Sequence, residues 1–285
     1  MSPIPASTLP LQRAPLPGRP DEARSPRAVS IALEKVTKVY ETDAGDDIWA
    51  LAPIDAVIEA GQFVSIVGPS GCGKSTLLLM IAGLIPVTSG TIRLNGEIVD
   101  RPHPQIAVVF QHDLLLQWRR IFDNVLLPIE IKRWGRAQFA KRAEQLLEQV
   151  GLAGFANKYP DELSGGMRQR VAICRALVQH PGLLIMDEPF GALDALTREQ
   201  MNIDLQKLWL TVGNTVVFIT HSIEEAIFLS DRVLVMSPRP GRVELDMKID
   251  LPRPRRLSIR SEMRFIGCVE TIRQVFERSG ILRGE

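Results

Sequence analysis

Cysteine is scarce in this chain: Cys72, Cys174 and Cys268 are the only three in 285 residues, and they show neither paired nor metal-type spacing. That excludes a disulfide framework and fits a reducing compartment. Charge bias is also missing. With 34 basic and 33 acidic residues the net charge is +1, so there is no whole-molecule reason to expect nucleic acid as the main partner. No apolar run is long enough to cross a bilayer. The longest uncharged stretch, 75–92, contains Pro86 and then Thr88, Ser89 and Thr91, so it reads as a core helix, a turn and a strand. The first 27 residues hold seven prolines, no aromatic residue and no uninterrupted apolar segment. They lack the middle of a secretory signal and read as a disordered, Pro-rich lead-in over 1–27. What remains is ordinary globular content, 45% hydrophobic and 24% charged, enough for one large domain or two lobes.

Short apolar runs recur at 63–67, 106–110, 183–186, 216–220 and 233–236, with amphipathic helical text between most of them. That spacing predicts a parallel sheet covered by helices. Earlier, 31–40 and 49–58 alternate apolar and polar residues as half-buried antiparallel strands do. Between 111 and 159 the strand pattern stops and helical text takes over, with Phe139, Ala143, Leu146, Leu147 and Val150 on one face of 136–150. This reads as an inserted helical lobe. After Leu251 the chain turns basic, with Arg253, Arg255, Arg256, Arg260 and Arg264 ahead of an amphipathic stretch over 265–276. The expectation is a solvated terminal helix on a charged linker, the sharper alternative being contact with anionic lipid or a partner.

The most informative stretch follows the first buried strand: Gly68, Pro69, Ser70, Gly71, Cys72, Gly73, Lys74, Ser75 and Thr76. A strand that feeds a glycine-rich loop opening a helix cradles phosphate. Gly71 and Gly73 reach backbone angles closed to other residues and let successive N–H groups converge on phosphate oxygens. The helix start adds its positive dipole end. In this P-loop pattern Lys74 bridges β- and γ-phosphate oxygens and the Ser75 hydroxyl holds Mg²⁺. Cys72, beside Lys74 at a helix N-terminus, is expected to be a reactive thiol.

A second constellation is Asp187 and Glu188, ending the apolar run 183–186 and followed by Pro189. Acids at the carboxyl end of a buried strand face the crevice where α/β sheets bind ligands. Asp187 is expected to anchor Mg²⁺ and Glu188 to polarise the attacking water. Upstream, Leu163, Ser164, Gly165 and Gly166 form another glycine-rich turn before helical text over 167–180, a second anion site.

This order of motifs closely resembles the nucleotide-binding subunits of ATP-binding cassette (ABC) transporters, from Val29 to about Leu251. The resemblance implies an α/β fold: a P-loop NTPase parallel-sheet core with an N-terminal antiparallel β subdomain and an inserted helical subdomain. It places the nucleotide-binding domain at 28–252, its helical part at about 111–165, and a basic linker with a C-terminal helix at 253–285. Tyr40 matches the aromatic residue that stacks on adenine, although a tyrosine closing a strand also suits core packing. Gln111 matches the glutamine that senses Mg²⁺ and the attacking water, and His221 the switch histidine at the γ-phosphate. Asp194 matches the loop that communicates between two nucleotide sites. Met167 departs from the pattern, standing where the signature turn usually has glutamine; Ser164 and the N–H groups of Gly165 and Gly166 carry the phosphate contact, so function is expected to survive.

The resemblance further implies ATP and Mg²⁺ as cofactors, and ATP hydrolysis with Glu188, His221, Gln111 and Lys74 catalytic. It implies a head-to-tail dimer of two copies sandwiching two ATP molecules. The expected setting is peripheral, on the cytoplasmic face of the cell membrane, on transmembrane permease subunits and indirectly served by a solute-binding protein. Proline-arginine turns at 237–242 and 251–255, with Met167, look similar to the nitrate, sulfonate and taurine uptake branch. A soluble ABC ATPase not coupled to transport is the competing reading.

Overall fold

A computed structural model of the chain describes residues 28–41 and 45–281; the lead-in over 1–27 lies outside them. The strands are β1 (Ile31–Glu41), β2 (Asp47–Ile58), β3 (Phe63–Val67), β4 (Ser89–Leu94), β5 (Glu97–Ile98), β6 (Ile106–Val109), β7 (Leu183–Asp187), β8 (Thr215–Ile219), β9 (Arg232–Met236) and β10 (Val243–Lys248). The helices are α1 (Lys74–Ile81), α2 (Ile121–Ile131), α3 (Arg136–Gln149), α4 (Gly165–Leu177), α5 (Ala195–Val212), α6 (Ile223–Leu229) and α7 (Met263–Arg278).

The central sheet runs β10-β9-β3-β8-β7-β6 and is parallel except for β10, which pairs antiparallel with β9. Its inner strands β9, β3, β8 and β7 are buried on both faces, which is why they read as continuous apolar runs. Alternate residues feed two cores. Phe63, Leu184, Met186, Val216 and Phe218 face the cluster under α2 to α7. Val64, Ile66, Ile185, Val217 and Ile219 face the cluster shared with α1 and the second sheet. That second sheet, β2-β1-β4-β5, is antiparallel throughout. The fold is the expected one, a parallel core with an antiparallel β part and a helical lobe in which α2 and α3 pack on each other and on α4.

Two local differences have clear causes. The helix expected over 167–180 begins at Gly165, because the Ser164 hydroxyl accepts the Met167 N–H at 3.4 Å and caps it. It ends at Leu177, with His180 in the left-handed region at φ 53°.

The tail is not the solvated helix that its charge suggested. Phe265, Val269, Ile272 and Phe276 of α7 are buried, and α7 packs on α6 and β10. Arg255 is only 3% exposed. Its guanidinium donates to the carbonyls of Ile227, Phe228 and Ser230 at 2.6–2.9 Å and to that of Leu251 at 3.2 Å. Those first three carbonyls end α6, so a buried cation sits at the negative end of that helix. Burial, with Arg253 adding to it, pulls the Arg255 pKa down to about 9, which leaves it charged at neutral pH. Gln206 clamps the Arg255 backbone on both sides, at 2.7 and 2.8 Å.

Candidate active site

β3 delivers residues 68–73 to the carboxyl edge of the central sheet, and α1 starts at Lys74. Gly71 and Gly73 have φ of +75° and +100°. At Gly73 space is also short: a Cβ there would meet Leu51 Cδ2 at 2.6 Å and the Ala50 carbonyl at 2.9 Å. Nothing from a side chain caps α1, so its first N–H groups are left facing the loop's interior. Lys74 Nζ donates to the carbonyls of Gly68 and Pro69, each at 2.9 Å, which holds the ammonium over the loop.

β7 lies two strands from β3 with β8 between them, and this register brings Asp187 to the loop. The Ser75 hydroxyl donates to Asp187 Oδ1 at 3.2 Å. Burial pushes the Asp187 carboxyl above the usual range; Ser75 and Lys74 oppose the shift, and Glu188 adds to it. Glu188 adopts φ 45°, a conformation uncommon outside glycine, with its N–H fixed to the Ile219 carbonyl at 2.9 Å. His221 follows β8, and its Nδ1 lies 3.3 Å from Glu188 Oε2. The Gln111 amide reaches the same corner, since its Nε2 would be 3.5 Å from a Cβ on Gly191 and Glu188 Oε2 3.7 Å from the same point. The structure therefore brings Lys74, Ser75, Asp187, Glu188, His221 and Gln111 to one edge of the sheet.

Other expected residues lie apart. Among the described residues no hydrogen bond or ion pair links Ser164, Gly165 or Gly166 to the phosphate loop. Their neighbours are on the loop after β7 and the start of α5: Gly165 faces Leu193, and a Cβ on Gly166 would meet Thr197 Cγ2 at 2.6 Å. Asp194 caps α5, accepting the Thr197 N–H at 3.0 Å; Thr197 holds its carboxylate below the usual range. Tyr40 is 43% exposed near the end of β1, with Lys38 Nζ 5.0 Å from its ring centroid. Core packing is thereby excluded for Tyr40. Met167 is partly buried and packs against the core of the helical side.

The expectation for Cys72 is overturned. Its thiol is 1% exposed, and burial pushes its pKa up despite the nearby Lys74. The helix start alone suggested a thiolate; the packing of Met236 and Gly68 around it was not readable locally.

Several polar residues behind the site escaped the sequence reading. Gln169 of α4, 3% exposed, donates to the Phe110 carbonyl at 3.4 Å and so ties the Gln111 segment to the helix of the glycine turn. Glu225 of α6, 4% exposed, accepts from the Thr220 hydroxyl at 2.5 Å. An acid four residues past a candidate histidine, directly before the apolar run Ala226–Leu229, was the available signal.

A family model described as ABC transporter matches residues 51–191. The taurine import ATP-binding protein TauB of Rhizobium johnstonii is 48% identical over 260 residues, covering 89% of this chain and 98% of that protein. TauB of Escherichia coli O157:H7 is 41% identical over 250 residues, 86% of this chain and 97% of its own. Among solved structures, the dimeric post-hydrolysis state of the ATP-binding cassette MJ0796 bound to ADP and Pi is 35% identical, with a TM-score of 0.66 over 77% of this chain and 98% of that one. Motif geometry and similarity over most of the chain agree, and the chain belongs to the ABC transporter family as one of its ATP-binding subunits, an ATPase that groups with the taurine import proteins.

Proposed function

We propose that this chain drives uptake of a small sulfonate, taurine above all, as the ATP-hydrolysing subunit of an importer. It does so as a pair of copies closing head to tail over two ATP molecules on the cytoplasmic face of a membrane permease. Support for the dimer comes from the separation inside one chain: two glycine-rich helix starts, but one lysine and one acid pair, all on the side of the phosphate loop. Residues 164–166 then complete the site of the other copy, next to Asp194, and Tyr40 stacks on adenine. Support for the solute comes from the names of the relatives; nitrate is the alternative anion. No helix of the described residues is long and apolar enough to cross a membrane. The permease holds the chain at the membrane, and a solute-binding protein supplies the cargo. The cassette spans 28–252, with a helical part at about 111–165 facing the permease.

Mg²⁺ fits the donors at hand. Ser75, Asp187 and Gln111 offer hard oxygens, and the half-buried Asp187 carboxyl beside Glu188 favours a nearby cation. Among the described residues no group of three His, Cys, Asp or Glu could hold a metal alone, which suits an ion that takes its remaining ligands from phosphate and water. When bound, it supplies charge neutralisation of the phosphates. The chain's own residues do the rest. The N–H groups of 68–76 and Lys74 hold the β- and γ-phosphates. Glu188 aligns and deprotonates the attacking water, while Gln111 and His221 fix that water and the γ-phosphate.

The observation that carries this reading is the meeting of Glu188 with His221 at 3.3 Å beside the Ser75 and Asp187 pair. ATP turnover of Glu188→Gln should fall about a hundredfold or more, the range for losing a general base; equal rates would sink the assignment. Taurine uptake in cells deleted for the gene should return with the wild type and not with Glu188→Gln. Uptake that returns with both denies the coupling to transport.

A further inference from the structure

We infer that the cavity between the helical lobe and the amino edge of the central sheet is a docking site for the chain's own proline-rich segment, residues 15–22. The inference stands apart from the transport reading and uses none of the nucleotide site.

The cavity measures about 760 Å³, and none of its lining residues is acidic. Ligand sites run from roughly 300 to 1,000 Å³. Trp134 forms its aromatic wall. Phe139 stacks on that ring at 5.7 Å and 21°, and Lys132 Nζ lies 4.7 Å from its centroid, yet the tryptophan stays 40% exposed. Lys132 Nζ also donates to Gln179 Oε1 at 2.6 Å, which fixes the orientation of that amide and turns its N–H₂ group away from the lysine. Among the described residues neither this N–H₂ group, nor the Trp134 indole N–H, nor the side-chain amides of Gln105 and Gln138 have a hydrogen-bond partner. Aromatic surface, spare donors and the absence of acids suit an occupant rich in acceptors.

Proline-rich peptide is such an occupant, because proline carries no N–H to satisfy and aromatic-lined grooves take it while donating to its carbonyls. Residues 15–22 read Pro, Leu, Pro, Gly, Arg, Pro, Asp, Glu, and Asp21 and Glu22 are the only acids in the first 27 residues. The segment is thus net negative, against Arg142 in the lining and Lys132 and Arg133 beside Trp134. Its position fits as well. The Thr215 hydroxyl donates to the Val29 carbonyl at 2.5 Å, the Thr215 N–H to the Gly182 carbonyl at 3.1 Å, and the Leu183 N–H to the Gln105 carbonyl at 3.0 Å. Val29 therefore lies about two strand spacings, or roughly 10 Å, from Gln105, though it packs on the other face of the sheet from the helical lobe. Rounding the edge adds about 10 Å. Residues 22 and 15 stand six and thirteen positions before Ala28, extended reaches of about 20 and 40 Å, which bracket the cavity.

The test is fluorine NMR of the full chain labelled with 5-fluorotryptophan, the Trp134 resonance being assigned through Trp134→Phe. In a triple variant carrying Pro15→Ser, Pro17→Ser and Pro20→Ser that resonance should shift, while those of Trp49, Trp118 and Trp209 stay in place. A synthetic peptide of residues 12–24 added to the triple variant should restore the wild-type position at about millimolar concentration, the effective concentration that a short tether supplies. In a Gln179→Ala background the same triple substitution should leave the Trp134 resonance almost unmoved. The inference is overturned if Trp134 ignores the proline substitutions, if all four resonances move together, if the peptide restores nothing, or if the shift is undiminished without Gln179. Two further results also overturn it. A resonance that ignores the prolines and moves with millimolar benzoate makes the cavity a small-anion site, and a shift that depends on protein concentration marks docking of another copy's segment.

Discussion

Gly71 and Gly73 share a backbone demand and differ in their surroundings. Both have positive φ, but a Cβ at Gly71 meets nothing within 4 Å, whereas one at Gly73 collides with Leu51 and the Ala50 backbone. Gly71→Ala should therefore cost about 1–2 kcal/mol of conformational strain and leave weakened ATP binding. Gly73→Ala should abolish binding, because backbone and Leu51 cannot both retreat; titration of both variants with a fluorescent ATP analogue checks the order. The need for glycine was legible in the motif. The cause at Gly73 was not, since Leu51 comes from another sheet, twenty-two positions upstream. Cys72 fails for the same reason: a local motif reports dipole and charge, and burial by distant side chains decides the pKa.

At the scale of elements, the strands were the most legible part and the tail the least. Strands buried on both faces announce themselves as apolar runs, and the five expected ones stand within a residue or so of their observed ends. Arg253, Arg255 and Arg260 read as solvent-facing because arginine usually is. Arg255 instead closes the end of α6, Arg253 pairs with Asp231 at 2.9 Å, and Arg260 with Glu199 at 2.7 Å. Arg255→Ala should lower stability by about 2–4 kcal/mol, leaving several buried carbonyls without a charged donor. Arg255→Lys should recover little of it, since one ammonium cannot spread over carbonyls on two segments as a guanidinium does. Urea unfolding of both variants measures this.

For the whole molecule, the separation of residues 164–166 from the phosphate loop becomes a prediction about assembly. Glu188→Gln with ATP should elute as a dimer, because closure proceeds and hydrolysis does not. Adding Ser164→Arg should return it to monomer, by placing bulk and charge where the γ-phosphate of the other copy would sit. That variant also loses a helix cap worth about 1 kcal/mol, too little to unfold the chain. Dimerisation that survives Ser164→Arg would remove that turn from the interface.

The sequence by itself determined the phosphate loop, the paired acids at the end of β7, the sheet strands and the family. Each is written in consecutive residues whose spacing is enforced by helix and strand geometry. Only the tertiary structure decided which of these motifs share one site. It set Ser75 against Asp187 and Glu188 against His221, left Ser164 without a hydrogen bond to the phosphate loop, buried Cys72, and turned a basic tail into the cap of α6. Those outcomes depend on strand order and on packing between residues far apart in the chain, and neither is encoded in any local run of residues.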